Sequence, residues 1–244
     1  MVVIPFRDQV AVVTGASSGI GKAIALGLAA QGAMLCLVGR RLDALEAVAK
    51  SAEDTASRVL CYRADLALDE DVRGLATRLQ QDFGYLDLLI HSAGVISLGR
   101  LDSAPVEDLD QQYRTNVRAP YALTQALLPM LRLRQGQIVF INSSAGLSAG
   151  ANVSQYAVTK HALKALADSL RAEVNTEGLR VLSVYPGRTA TPMQATVHEV
   201  EGKAYHPERL MQPDDVAAVV INALSLPRSA EVTDIHIRPL TKPC

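Results

Sequence analysis

The chain has 244 residues and nearly balanced charge, 24 Lys and Arg against 25 Asp and Glu. That length suffices for the core of one α/β domain, and a net charge of −1 offers no electrostatic footing for nucleic acid or an anionic membrane. The opening Met-Val-Val-Ile-Pro-Phe-Arg-Asp lacks the basic-then-apolar order of a secretion leader, and no apolar run is long enough to span a bilayer, so a soluble, cytoplasmic protein is expected. Cys36, Cys61 and Cys244 form neither a disulfide framework nor a metal-ligand pattern, and no metal is expected.

Read in chain order, apolar β-branched runs at 10–13, 34–38, 59–62, 86–91, 137–142, 181–185 and 232–237 alternate with helical patterns. The helical stretches are 20–31, 42–56, 69–83, 106–133, 155–176 and 213–226. Such alternation predicts a doubly wound, Rossmann-like α/β fold around a parallel sheet of about seven strands. Nearly continuous apolar strands suit burial on both faces. With no repeat and no linker, residues 1–244 read as one domain. Residues 188–212 break the rhythm with Pro192, Gly202 and Pro207, and are expected to form an irregular substrate loop.

The turn Thr14-Gly15-Ala16-Ser17-Ser18-Gly19-Ile20-Gly21 lies between the first strand and the first helix. Glycines there let backbone amides approach a diphosphate, and the helix N-terminus adds unpaired N–H groups and a positive dipole end. After the second strand come Arg40 and Arg41 rather than an acid. Arginine forks suit a ribose 2′-phosphate, so NADP(H) is the expected cofactor, with Arg40 the closer of the two.

Further on, Tyr156 and Lys160 are i and i+4 on one helix and share a face. A phenol titrates near 10, and an adjacent ammonium is expected to lower it toward the range of a general acid–base. Ser143 falls just past the fifth strand, where its hydroxyl can polarise a substrate oxygen. Arg188 faces a phosphate, a substrate carboxylate or solvent; His198 and His206 lie in the loop where substrate could reach them, whereas His161 and His236 read as surface or strand positions.

The glycine turn with Ser143, Tyr156 and Lys160 resembles the short-chain dehydrogenases/reductases along nearly the whole chain. The resemblance implies hydride transfer between NADP(H) and a ketone or secondary alcohol, with Tyr156 as general acid/base. Ser143 and Asn116 would complete the catalytic set, Lys160 holding the nicotinamide ribose and Asn116 propping Lys160 through a water. It also implies cofactor contacts at Thr14, Gly15, Ser17, Ser18, Gly19, Ile20, Gly21, Arg40, Arg41, Asp65, Leu66, Ser92, Ala93, Gly94, Pro186, Gly187, Thr189 and Thr191. Two departures stand out. His91-Ser92-Ala93-Gly94 replaces the family's Asn-Asn-Ala-Gly, and Thr233–Pro239 replaces a C-terminal Val-Asp-Gly-Gly.

Substrate walls are expected from Val95, Ile96, Leu98, Leu147, Met193 and Val197, with Tyr205, His206 and Arg209 polar, favouring an apolar or moderately polar ketone; the resemblance, with the Arg40-Arg41 turn and the unusual C-terminal end, implies reductases of 3-hydroxy acids and related small alcohols. The helices at 106–133 and 155–176 carry apolar residues on more than one face, Tyr121, Leu123, Leu127 and Leu128 on one and Leu163, Leu166 and Leu170 on the other. A homo-oligomer follows, a tetramer or a dimer. The competing reading is a catalytically silent nucleotide sensor or scaffold on the same fold. It predicts damage to the serine, tyrosine or lysine, and all three are intact.

Overall fold

The computed structural model describes residues 6–240, so Cys244 and the leader reading fall outside the described residues. Seven parallel strands form one sheet in the order β3-β2-β1-β4-β5-β6-β7. They are β1 (Val10–Thr14), β2 (Met34–Gly39), β3 (Arg58–Arg63), β4 (Leu88–His91), β5 (Gln137–Ile141), β6 (Arg180–Pro186) and β7 (Asp234–Ile237). Each expected strand is present, with ends moved by up to two residues.

Eight α-helices cross between them: α1 (Gly19–Ala29), α2 (Leu42–Ala52), α3 (Asp69–Asp82), α4 (Val106–Tyr113), α5 (Ala119–Arg132), α6 (Ser154–Val174), α7 (Pro192–Val200) and α8 (Pro213–Leu224). Along β1, alternate side chains enter opposite layers. Ala11 and Val13 pack with Ile24, Leu28, Leu45 and Val220 of α1, α2 and α8. Val10 and Val12 pack with Leu75, Leu79, Leu123, Leu127 and Leu163 of α3, α5 and α6. Burial on both faces explains why the strands carry few polar residues.

Three expectations change on inspection. The stretch 106–133 is not one regular helix: a π-turn, Arg114–Arg118, separates α4 from α5 and carries Asn116. Such a turn inserts an extra residue into the ladder and re-aims neighbouring side chains. Secondly, 188–212 is irregular only in part, since it carries α7 and a short 3-10 turn, Pro207–Arg209. Thr191 caps α7, its Oγ1 accepting from the Gln194 N–H at 3.2 Å, and Pro192 occupies the first turn, where its missing N–H loses nothing. Thirdly, Leu123, Leu127 and Leu163 turn fully inward, and Leu128 and Leu166 pack against the same core. The exposed large apolar side chains of the stretches 106–133 and 155–176 are Val106, Tyr113, Tyr121, Leu133 and Val158.

Cys36 is buried in β2, and burial pushes its thiol up, as it does the half-buried Cys61. Among the described residues no helix is long and apolar enough to cross a membrane, and no cluster of His, Cys, Asp and Glu could hold a metal ion.

Candidate active site

β1 pairs with both β2 and β4, so successive crossovers diverge from it and leave a crevice beyond the carboxyl ends of the strands. A cleft of about 620 Å³ opens there. All the expected site residues line it except Thr14 and Asn116, which lie immediately behind.

Thr14 is a buried clamp. Its hydroxyl donates to the Ile90 carbonyl at 3.3 Å and accepts from the N–H groups of Ser92 and Ala93, both at 3.1 Å. This presses the end of β1 against the turn after β4. Gly15 sits in that contact at φ +66°, and a Cβ there would lie 2.8 Å from the Ala93 backbone. A Cβ on Gly21 would meet the Gly15 carbonyl oxygen at 2.5 Å. The Ser18 side chain caps nothing at the start of α1, so the first-turn N–H groups stay unclaimed by the cap residue along the cleft wall.

Arg40 and Arg41 follow β2, exposed and without side-chain hydrogen bonds or ion pairs among the described residues. Asp65 shapes its own turn: Oδ1 accepts from the Ala67 N–H at 3.1 Å, while its backbone N–H donates to Asp71 Oδ2 at 2.6 Å.

Beyond β5, the Ser143 Oγ accepts from the Ala145 N–H at 3.1 Å, which leaves its O–H free to donate. Ser144, its neighbour, also lines the cleft. Tyr156 and Lys160 are buried on α6, with the Lys160 Nζ 5.6 Å from the phenol ring centroid. That ammonium donates to the Ile141 carbonyl at 3.1 Å. The expected downward shift of the phenol is reversed. Burial pushes Tyr156 up to about 12, the Ser143 hydroxyl opposing it, and burial also pushes Lys160 down to about 8. Loss of water outweighs the Ser143 hydrogen bond.

Asn116 does not hydrogen-bond Lys160. Its Oδ1 accepts from the Val95 N–H and its Nδ2 donates to the Val95 carbonyl, both at 2.9 Å, and Nδ2 also donates to Thr159 Oγ1 at 3.1 Å. The side chain ties the loop after β4 to the residue preceding Lys160.

The far wall comes from the segment after β6. Pro186, Gly187, Thr189 and Thr191 line the cleft with Val95, Ile96, Leu98, Met193 and Val197; Leu147, Tyr205, His206 and Arg209 do not. His198, on α7, is buried, bonded within the helix to the Gln194 carbonyl at 2.8 Å and edge-on to the Tyr205 ring, which packs the helix against the segment that follows it. His206 pairs with Glu208 at the surface. Arg188 is joined to Glu201 at 2.6 Å. Gln194 and Glu201, which sequence reasoning missed, also reach the cleft, and the Thr191-Pro192 helix start was the signal for them.

The family model described as short chain dehydrogenase matches residues 9–202. The chain belongs to the short-chain dehydrogenase family. It is an oxidoreductase of that family and is 33% identical over 234 residues to an uncharacterized oxidoreductase of Staphylococcus aureus, covering 96% of this chain and 98% of that one. Over 244 residues it is 32% identical to the glycine betaine reductase of Emericella nidulans, a match that takes in 98% of this chain but only 19% of that protein's length. Among solved structures, the alcohol dehydrogenase of Thermococcus sibiricus complexed with 5-hydroxy-NADP superposes with a TM-score of 0.88 at 26% identity, covering 97% of this chain and 99% of that one.

Both departures from the short-chain dehydrogenase pattern have structural accounts. His91 is buried, stacked on Phe140 with centroids 5.0 Å apart, and its Nε2 lies 2.8 Å from Thr124 Oγ1. It braces β4 against β5 and α5, and burial pushes it down to about 3, so it stays neutral. At the C-terminal edge, β7 pairs with β6 in parallel, and the Gly187 N–H donates to the Ile237 carbonyl at 2.8 Å. Arg238 and Pro239 pack on Gly187, supporting the turn that borders the cleft.

Proposed function

We propose that the protein transfers a hydride between NADP(H) and a ketone or secondary alcohol, with Tyr156 as proton donor and acceptor. One observation carries the reading: Ser143, Tyr156, Lys160 and the glycine turn all open into a single cleft. The residues suit the cofactor. The uncapped first turn of α1 presents N–H groups to a diphosphate, and two unpartnered arginines stand at the end of β2, where a 2′-phosphate would be met. Gly15, Ser17, Ser18, Gly19, Ile20 and Gly21 would hold the diphosphate, and Asp65, Leu66, Ser92, Ala93 and Gly94 the adenosine side. Pro186, Gly187, Thr189, Thr191 and Lys160 would hold the nicotinamide side, with Thr14 fixing the turn from behind. When bound, the cofactor supplies or accepts the hydride at the substrate carbon. The complex of the Thermococcus sibiricus relative with 5-hydroxy-NADP supports the same choice.

The chain's own residues then manage the oxygen. A phenol pushed up to about 12 keeps its proton at neutral pH, which suits Tyr156 as the donor to a carbonyl oxygen during reduction. Ser143, its oxygen fixed by Ala145, donates its O–H to the same atom and stabilises the developing charge. Lys160, anchored on Ile141, holds a positive charge near the phenol and favours its ionised form as the proton leaves. Asn116 is a positioning residue, setting the loop at Val95 and the helix turn at Thr159.

A panel of small ketones and aldehydes incubated with NADPH and with NADH, followed by loss of reduced-cofactor absorbance, tests the reading. Turnover with NADPH preferred is the expected result. Binding of NADPH with no turnover of any carbonyl would favour the silent-scaffold alternative.

The same reading makes the enzyme a cytoplasmic homo-oligomer, a tetramer or a dimer. Val106, Tyr113, Tyr121 and Val158 are exposed on α4, α5 and α6, and self-complementary pairing about a twofold axis is the common way to bury such side chains. A monomeric mass in light scattering would overturn it.

A further inference from the structure

We propose that Arg188 selects substrates bearing a carboxylate, with Glu201 holding its guanidinium at the cleft wall until the substrate arrives. The inference rests on the hydride-transfer reading and deepens it by naming a substrate class, small oxo acids.

Six charged side chains line the cleft. Arg40, Arg41 and Asp65 belong to the ends of β2 and β3, at the glycine-turn side. Lys160 is on α6 with Tyr156, and Arg188 and Glu201 stand on the segment after β6. Lys160 is buried and committed to the Ile141 carbonyl. Glu201 receives two cations, Arg188 Nη2 on Oε1 at 2.6 Å and Lys203 Nζ on Oε2 at 3.1 Å. Lys203 stands outside the cleft, so the lining charges on α6 and the segment after β6 are Lys160 and Arg188 against Glu201, one positive charge in excess.

Arg188 is also well placed to use that charge. It follows the Pro186–Gly187 turn, and its carbonyl accepts from the Met211 N–H at 3.3 Å, while Ala190 donates to the Met211 carbonyl at 2.8 Å. The guanidinium therefore swings from a backbone fastened on both sides. Its ion pair is partly exposed, about a third on the arginine side, and pairs of that kind are weak. Of five guanidinium N–H groups, one donates to Glu201, and the planar fork has donors left for a second carboxylate. In the same cleft Val95, Ile96, Met193 and Val197 are apolar. A short aliphatic ketone ending in a carboxylate matches both surfaces.

The diphosphate of the cofactor is the competing anion, because Thr191, three residues on, touches the Gly19 turn. The test separates the two. Acetoacetate and levulinate, each against its methyl ester, are compared by kcat/KM in the wild type, Arg188→Gln, Arg188→Lys and Glu201→Gln, with NADPH affinity measured by calorimetry in each. The acid-to-ester ratio should fall about 10- to 100-fold in Arg188→Gln, through KM more than kcat, recover in part with Arg188→Lys and rise in Glu201→Gln. A ratio unchanged within about twofold while both ketones are still reduced overturns the proposal and leaves the hydride-transfer reading intact. Weaker NADPH binding in Arg188→Gln at an unchanged ratio assigns the arginine to the cofactor and also overturns it. Should no ketone be reduced by the wild type, the hydride-transfer reading falls. Calorimetric binding of levulinate then decides for Arg188 alone: loss of binding in Arg188→Gln supports the proposal, and its persistence overturns it.

Discussion

The two ends of the cleft are built by different means. At the glycine-turn end, the wall is backbone: Thr14 clamps β1 to the turn after β4, and Gly15 and Gly21 are small because main chain passes within van der Waals contact of them. At the substrate end, the wall is side chain, carried by α7 and held by a capped N-terminus, a buried histidine and an ion pair. A wall made of main chain tolerates almost no change, because the sheet behind it cannot move. A wall made of side chains can be retuned residue by residue without disturbing the sheet.

That contrast breaks most sharply at two glycines with nearly the same backbone. Gly15 and Gly202 both have positive φ, +66° and +64°, but a Cβ on Gly15 strikes the Ala93 backbone whereas one on Gly202 meets nothing within 4 Å. Gly15→Ala is expected to lower unfolding stability by about 3 kcal/mol, strain and overpacking together. Denaturant titration of Gly15→Ala and Gly202→Ala checks this, and equal losses would count against the main-chain contact at Gly15.

A smaller effect probes the sheet behind the glycine-turn end. His91 is pushed down to about 3 in the folded state, so between that value and its unfolded pKa near 6.5 the unfolded chain binds more protons. Stability therefore falls as pH drops through this window, by about 2 kcal/mol between pH 6.5 and pH 5 from this group alone. Thermal unfolding of wild type and His91→Asn across pH 5–7 checks it. The variant should show a shallower slope, and parallel slopes would count against the account of His91.

Least of all, Gly202→Ala should cost about 1 kcal/mol, the backbone strain alone. Activity toward a good ketone should shift little, since the residue lies past α7 and does not line the cleft.

The same division governs what could be read from sequence. The seven strands, the glycine turn and the Ser143–Tyr156–Lys160 set were legible because each depends on local periodicity or fixed spacing: apolar runs buried on both sides, a turn between strand and helix, an i,i+4 pair. The π-turn at Asn116 was not, since Arg114–Arg118 keeps helical composition and the extra residue arises from packing against α6 and the loop at Val95. Helix α7 was hidden by Pro192 and by the Gly202 and Pro207 that follow it, read as loop punctuation although Thr191-Pro192 is a helix start. The pairing of Arg188 with Glu201 depends on a helix turning back over thirteen residues, which no spacing rule reports. The direction of the Tyr156 shift was missed for another reason. Burial depends on how tightly the surrounding segments close over the phenol, and spacing along α6 fixes only its distance from Lys160.

The central claim is that Tyr156 exchanges the proton while the rest of the cleft binds. Tyr156→Phe keeps the ring and its packing and removes only the hydroxyl. With the best ketone of the panel, the account predicts that kcat falls by about 10²- to 10⁴-fold while NADPH affinity stays within about twofold of wild type. A kcat comparable to wild type in that variant would contradict it.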